Sequence, residues 1–196
     1  MENLKQAGSL VVQQKKEWGE ILTGFETRNK YAILDASGRQ LYLVAEESSL
    51  LARLILKNFR PFTMHVLSTQ GTPVLKLVRP FRFYFHEIAV LDASGKTLGT
   101  IRKEFSILSR QFTVEDSMGM EICRIYGPLL HPWTFRIMKH ETETGKITKK
   151  WSGLGKEMFT DADNFNITFP PDADTDQKGV LLGALFLIDM LHFERK

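Results

Sequence analysis

Residues 180–191 read VLLGALFLIDML, the most apolar stretch of the chain, with Asp189 as its only charged residue. A helix of this length measures roughly 18 Å, which is well short of the ~30 Å hydrocarbon core of a bilayer. A helix that is apolar on every side has to be surrounded by protein. We therefore predict a buried C-terminal helix rather than a membrane span. We expect its buried residues to include Leu182, Leu185, Phe186 and Asp189.

The chain before this helix repeats one short turn between alternating apolar runs. Residues 33–40 read ILDASGRQ and residues 90–97 read VLDASGKT. Asp before the turn and Gly at its end supply the backbone angles that a tight reversal needs. Similar units recur along the chain, so we predict five β-hairpins. Their turns are expected around Gly38, Gly71, Gly95, Gly119 and Gly145.

Two further alternating runs, residues 9–14 and 164–169, raise the expected number of strands to about twelve. So many antiparallel strands have to close into a barrel or split into two sheets, because long open edges invite aggregation. The predicted fold is mainly β, a closed antiparallel barrel of about twelve strands around the buried C-terminal helix. Two short helices are also expected, at residues 16–22 and 48–57. No linker divides the chain, so we expect one domain over residues 1–196.

The composition excludes several classes of protein. The 196 residues include 26 Lys and Arg against 23 Asp and Glu, a formal net charge of +3. This charge is too small to indicate nucleic acid by itself. Cys123 is the only cysteine, which excludes an intrachain disulfide. Residues 1–8 are polar and mixed in charge, unlike a secretory signal, so we expect a cytoplasmic protein.

No motif in the sequence indicates bond chemistry. The chain contains no Gly-rich phosphate loop, no zinc-binding histidine pair and no nucleophile elbow. His65 and Cys123 each lie in an alternating strand pattern, so a structural role is the simpler interpretation of both. We expect no catalytic residue, no organic cofactor and no enzyme.

Several segments, in order along the chain, resemble the phospholipid scramblase family. They read LTGFETRNKY at residues 22–31, RPFT at 60–63, GKITKKWSG at 145–153, FTDADNF at 159–165 and LID at 187–189. The resemblance covers nearly the whole chain. It implies a twelve-stranded barrel of the tubby C-terminal type around a hydrophobic helix, in agreement with the fold predicted from the repeats. It also implies lipid movement between leaflets.

The chain departs from this family in two patches that carry cysteines in animal scramblases, where the first patch is palmitoylated. The corresponding residues, 48–58 and 81–85, contain no cysteine, so we expect no palmitoyl anchor. Apolar and aromatic residues beside cations stand there instead, a composition typical of interfacial membrane contact. A basic hairpin at residues 146–151 is a third candidate. The alternative for the two patches is that they belong to the ordinary core of the barrel. The alternative for the basic hairpin is that it is simply solvated. The predicted lipid contacts are Leu50, Leu51, Leu54, Ile55, Arg79, Arg82, Phe83, Tyr84, Lys146, Lys149, Lys150 and Trp151.

In scramblases, the stretch that aligns with residues 161–172 (DADNFNITFPPD) is described as an EF-hand-like calcium site. Its fit to a calcium loop is poor, because the fifth position is Phe165 and the sixth is Asn166 instead of Gly. An extended strand would also separate the ends of this stretch by up to ~35 Å. A solvated acidic loop is the alternative to a weak calcium site. The candidate ligands are Asp161, Asp163, Asp172, Asp174 and Asp176.

The sequence therefore predicts a scramblase-like protein, peripherally associated with membranes. Its expected partner is an anionic phospholipid membrane, and its expected activity is ATP-independent, calcium-responsive lipid movement in both directions. The alternative is a scaffold that binds phospholipid or phosphoinositide without moving it. Nucleic acid is an unfavoured partner, and the sequence identifies no protein partner.

Overall fold

The computed structural model describes residues 1–15, 27–47, 61–81, 86–150 and 164–193. The predicted short helices at residues 16–22 and 48–57 lie outside the described residues. A short helix, Glu2–Gln6, precedes the first strand, and a long C-terminal helix, Thr175–His192, follows the last. The strands are β1 (Ser9–Lys15), β2 (Thr27–Leu34), β3 (Gln40–Glu47), β4 (Phe62–Ser68), β5 (Pro73–Arg79), β6 (Glu87–Asp92), β7 (Thr97–Glu104), β8 (Ser109–Asp116), β9 (Glu121–Pro128), β10 (Thr134–Lys139), β11 (Thr142–Lys150) and β12 (Asn164–Thr168).

The twelve described strands form one closed barrel. Each strand pairs antiparallel with its neighbours in sequence, and β1 pairs with β12 to close the sheet, with Leu10 opposite Ile167. Closure leaves no strand edge unpaired, which removes the aggregation hazard of a long open sheet. The predicted antiparallel barrel is confirmed.

The up-and-down order of the strands gives the barrel two different ends. Odd-numbered strands all run towards one end, which we call the loop end, and short turns join the strands at the other, the turn end. Asp35 and Asp92 organise two of these turns identically. The Oδ1 atom of Asp35 accepts hydrogen bonds from the backbone N–H groups of Ser37 and Arg39, at 2.9 and 3.0 Å.

Four of the five predicted turn glycines have the conformation that the repeat implied. Gly38, Gly71, Gly95 and Gly119 have φ angles between +79° and +88°, the left-handed region that glycine enters without steric cost. The aspartate acceptors and the left-handed glycines together explain why the same short sequence motif recurs at this end of the barrel.

The expected turn at Gly145 is wrong. The reversal between β10 and β11 lies at His140 and Glu141, whose φ angles of 47° and 66° form a two-residue hairpin turn. Gly145 lies inside β11, where a Cβ atom would stand 2.4 Å from the carbonyl oxygen of Thr168. This glycine therefore permits close packing against the end of β12 and the residues that follow it, rather than a change of direction.

The C-terminal helix fills the barrel, as predicted. Asp174 caps its N-terminus by accepting a hydrogen bond from the backbone N–H of Gln177 at 2.8 Å, and Gln177 completes the capping box. Every residue from Lys178 to Met190 is buried. The helix runs from the turn end to the loop end, because Gly179 and Val180 in its first turns lie beside Leu98 and Gly99, just after the turn that begins β7. The predicted buried residues Leu182, Leu185, Phe186 and Asp189 all lie within it.

Small residues let the helix approach the barrel wall closely. A Cβ atom on Gly183 would stand 2.6 Å from the Cγ2 atom of Val90, whereas a Cβ on Gly179 would meet Leu75 at an ordinary 3.5 Å. Gly99 on β7 has a similar role, since a Cβ there would lie 2.9 Å from Val180. The helix and the wall therefore fit through glycines on both sides.

The last turn of the helix ends among aromatic rings at the loop end. The ring of His192 lies 6.0 Å from that of Phe112 and 5.8 Å from that of Phe135, measured between centroids. Burial lowers the pKa of His192 to about 4, and the nearby charges of Lys103 and Arg110 act in the same direction. The folded protein therefore holds this imidazole neutral.

We predict opposite effects for alanine at two glycines of the same helix. Gly183→Ala should lower the free energy of unfolding by about 1–3 kcal/mol, because the new methyl group overlaps the buried Val90. Gly179→Ala, the matched control, should leave stability unchanged or raise it by up to about 1 kcal/mol, since alanine is the better helix former. Urea unfolding measures both. Equal effects at the two positions would contradict the close approach at Gly183.

We also predict that the protein loses stability as pH falls from about 6.5 towards 4. A histidine whose pKa is lowered on folding binds more protons in the unfolded chain, so its contribution is complete above pH 6.5 and is lost towards pH 4. The loss from His192 should be roughly 2 kcal/mol. Urea midpoints between pH 7 and 4.5 should fall less steeply for His192→Leu than for wild type. His140→Asn, at an exposed turn, is the control, and an unchanged slope in His192→Leu would refute the assignment.

Candidate functional site at the loop end of the barrel

A layer of polar side chains lies inside the barrel near the loop end. The Asn29 side-chain amide donates a 2.6 Å hydrogen bond to Glu46, whose carboxyl group is fully buried, and Gln14 donates to Asn29 at 3.2 Å. The Tyr31 hydroxyl donates to Asp189 at 2.7 Å. Towards the turn end the described interior is mainly apolar, with Lys178 donating to the carbonyl oxygen of Lys5 at 2.9 Å. We call the groups near the loop end, together with the two buried cations Arg79 and Lys149, the polar layer. Its members are Gln14, Asn29, Tyr31, Glu46, Arg79, Lys149 and Asp189.

Arg79 lies inside this layer rather than on the surface. Only 2% of the residue is exposed, and its guanidinium donates to the Met190 sulfur at 3.0 Å and contacts His86 Nδ1. Burial lowers the pKa of His86 to about 4, and the positive charge of Arg79 lowers it further. The expected lipid contact by Arg79 is therefore wrong for this structure, because the side chain continues the inward alternation of Leu75 and Leu77 along β5.

Lys149 is also turned inwards. It is 9% exposed, and its Nζ atom lies 4.4 Å from the centre of the Phe193 ring and 5.3 Å from that of Phe165. These are cation–π distances, so the ammonium group helps to hold the end of the helix. The expected surface role of Lys149 is corrected accordingly. Lys146, on the same strand, is exposed as the lipid-contact hypothesis requires.

The loops of the loop end carry apolar side chains that point into solvent. Phe105 is 90% exposed and Leu130 92% exposed, values that only a protruding side chain reaches. We call the group the apolar rim. It consists of two loops, residues 105–108 between β7 and β8 and residues 129–133 between β9 and β10. Its members are Phe105, Ile107, Leu108, Leu129, Leu130 and Trp133.

The two loops of the rim are neighbours. Ser109 pairs with Pro128 at the start of the β8–β9 ladder, so Leu108 and Leu129 flank the same pair of residues. Arg110 fixes the second loop, because its guanidinium donates to the carbonyl oxygens of Pro132 at 2.7 Å and Pro128 at 2.9 Å. The rim is therefore one continuous surface on an ordered support.

Sequence reasoning missed the apolar rim. Residues 105–108 read FSIL and residues 129–133 read LLHPW. Both are apolar runs that break the strand alternation directly beside the end of a strand. Connecting loops are normally polar, and consecutive exposed apolar residues usually have a functional reason. That departure was the available signal.

Most of the predicted lipid contacts fall outside the described residues. The strands that flank them, β3 and β4, β5 and β6, and β11 and β12, meet at the loop end. The predictions at these positions stay predictions. They are Leu50, Leu51, Leu54, Ile55, Arg82, Phe83, Tyr84 and Trp151, together with the side chain of Lys150.

The acidic residues of the calcium hypothesis that the structure describes lie at the turn end. Asp172 forms an ion pair with Lys139, which lowers the pKa of the Asp172 carboxyl. Asp174 caps the C-terminal helix, and Asp176 lies exposed in its first turn. Asp161 and Asp163 are outside the described residues. Within the described ranges, no three His, Cys, Asp or Glu side chains are grouped to hold a metal ion.

Two further observations concern the reactivity of the cysteine and the helices of the protein. Burial raises the pKa of the Cys123 thiol to about 12, which keeps it protonated and unreactive at neutral pH. In the part of the chain that the structure covers, no helix has both the length and the hydropathy needed to cross a bilayer.

Known proteins resemble this chain over nearly its full length. The family model described as Scramblase matches residues 1–195. Mouse phospholipid scramblase 1 is 35% identical over 209 residues, covering all of this chain and 64% of the mouse protein. Bovine phospholipid scramblase 2 is 36% identical over 208 residues, covering 99% of this chain and 71% of the bovine protein. The chain thus spans just under two thirds of the mouse relative.

The fold has a solved counterpart. The X-ray structure of a protein from Arabidopsis thaliana superposes with a TM-score of 0.52 at 16% identity, covering 93% of both chains. At that identity the likeness shows the fold alone. The family match along the whole chain, with relatives above 30% identity, decides the assignment: this chain belongs to the phospholipid scramblase family.

Proposed function

We propose that the protein binds anionic phospholipid membranes peripherally and moves phospholipids between leaflets in both directions without ATP. The observation that carries this proposal is the match of the family model described as Scramblase to residues 1–195 of the chain. Lipid movement requires no bond to be made or broken, and the buried, protonated Cys123 fits an activity without covalent chemistry. The partner in this proposal is the lipid surface itself.

The filled barrel also favours the second candidate, a scaffold that binds phospholipid without moving it. A lipid headgroup needs a hydrophilic route across hydrocarbon. The described interior from Leu10 to Ile167 is packed with apolar side chains around the helix and offers no such route between the two ends. Movement of lipid would therefore have to follow the outside of the protein or act by disturbing the bilayer.

Peripheral attachment to the cytoplasmic leaflet is the finer part of the proposal. Anionic lipids are concentrated in that leaflet and attract exposed cations. Lys146 is one such cation on the described surface, and the chain as a whole carries a formal charge of +3. No cysteine stands at the positions where animal relatives carry palmitoyl groups, so the attachment proposed here depends on direct lipid contact.

A dithionite assay separates the two candidates. Vesicles that contain a fluorescent phospholipid and the reconstituted protein should lose inner-leaflet fluorescence faster than protein-free vesicles, because scrambling exposes that lipid to the reductant. Flotation of the same protein with anionic vesicles provides the control for binding. Binding without any loss of inner-leaflet fluorescence would leave the scaffold and exclude the scramblase.

The proposed response to calcium would depend on the acidic loop at the turn end, which carries Asp172, Asp174 and Asp176. We predict that Asp172→Asn with Asp176→Asn weakens calcium binding in titration calorimetry, because both carboxylates are exposed and Ca²⁺ prefers oxygen ligands of this kind. Asp174 is left intact because it caps the helix. Glu121→Gln with Glu143→Gln removes the same charge elsewhere and is the control. An isotherm identical to wild type would remove this loop from the calcium hypothesis.

A further inference from the structure

We propose that the apolar rim is the surface with which the protein docks on an anionic phospholipid bilayer, so that the barrel stands on the membrane by its loop end. This inference deepens the proposed function and rests on it, because it names the surface that meets the lipid. The rim is built by residues other than those that the sequence singled out for lipid contact.

The exposure of the rim supports insertion between headgroups. Its side chains protrude at loop tips, with Ile107 and Leu108 at 80% and 81% exposed. Isolated exposed apolar residues are common, but a contiguous group marks an interaction surface. Trp133 lies at the border of the group, and tryptophan combines an apolar body with a polar N–H that suits the headgroup level.

The charges around the rim are complementary to anionic lipid. Neither loop of the rim contains a carboxylate. Lys103 and Arg110 flank the first loop within two residues on each side, and both side chains are partly buried. Arg110 donates to the backbone carbonyls of the second loop, so these cations act on a lipid surface through their potential rather than through free side chains. Glu104, next to Phe105, accepts hydrogen bonds from Arg102 at 3.3 Å and Thr113 at 2.9 Å. Arg102 also pairs with Glu115 at 2.7 Å. With Lys103 and Arg110, three cations therefore stand against these two carboxylates. Basic residues beside inserted apolar ones give both attraction to phosphates and burial in hydrocarbon.

The opposite end of the barrel lacks this combination. Its turns carry Asp35, Asp92 and Asp116 as structural acceptors, and the acidic loop with Asp172 lies there too. Met118 and Met120 are exposed at one of these turns, but carboxylates surround the turn end and disfavour an anionic surface. The described turns therefore present carboxylates beside their apolar side chains, whereas the two loops of the rim contain none.

The two methionines provide a matched control for the experiment. The loop-end variant is Ile107→Asp with Leu130→Asp, and the turn-end variant is Met118→Asp with Met120→Asp. Both replace two exposed apolar residues and change the net charge equally. Vesicles of phosphatidylserine and phosphatidylcholine, with phosphatidylcholine alone for comparison, serve as the probe in flotation. Thermal unfolding midpoints verify that both variants fold.

We expect the loop-end variant to bind the anionic vesicles at least about tenfold more weakly than wild type and the turn-end variant to bind as wild type does. Equal binding by the two variants would overturn the docking surface while leaving the proposed function in place. A wild-type protein that does not bind these vesicles would refute the proposed function itself.

A second measurement keeps the inference testable if the loop-end variant does not fold. Brominated lipids quench tryptophans that enter the bilayer, and the share of Trp133 is the quenching lost in Trp133→Phe. We expect Trp133 to be quenched on anionic vesicles, and no difference between the two proteins would overturn the inference. Light scattering gives a further test. If the wild-type protein is a dimer, the loop-end variant is a monomer, and both bind vesicles equally, then the rim binds a second copy of the chain and the inference is overturned.

Discussion

The burial of the apolar C-terminal helix inside the closed strand wall is the constraint on which the rest of the structure depends. A twelve-stranded barrel needs a filling, and a helix without a polar face needs complete cover. The helix fills the barrel and the barrel covers the helix, through close approaches such as that of Gly183 to Val90.

The same arrangement separates the two ends of the molecule. Tight turns with aspartate acceptors hold the turn end, where the capping residue Asp174 starts the helix. At the loop end, buried cations and hydrogen-bonded carboxyl groups surround the last turns of the helix, and apolar side chains protrude beyond them. Cations near a helix C-terminus are favoured by its dipole, so the polar layer has a structural reason apart from any lipid. Interaction with a bilayer is therefore best sought in the protruding loops.

The sequence was sufficient for the architecture and insufficient for the site, for physical reasons. Strand alternation and repeated Asp–Gly turns are local signals, and they predicted the barrel and four of the five turn glycines. Gly145 was misassigned because a glycine that permits close packing and a glycine that permits a turn look alike in sequence. Arg79 and Lys149 were placed outside because cations are usually exposed, whereas strand alternation turns them inwards. Exposure of the rim depends on where loops end in space, which no local pattern reports.

A reversible disulfide between the helix and the wall tests the central claim most directly. Gly183→Cys with Val90→Cys, in a Cys123→Ser background, places two thiols where a Cβ at position 183 would lie 2.6 Å from Val90 Cγ2. If the helix remains inside the barrel during function, the oxidised protein should bind anionic vesicles and move lipid as the reduced protein does. Loss of both properties on oxidation, with recovery after reduction, would show that the helix has to leave the barrel and would contradict this account.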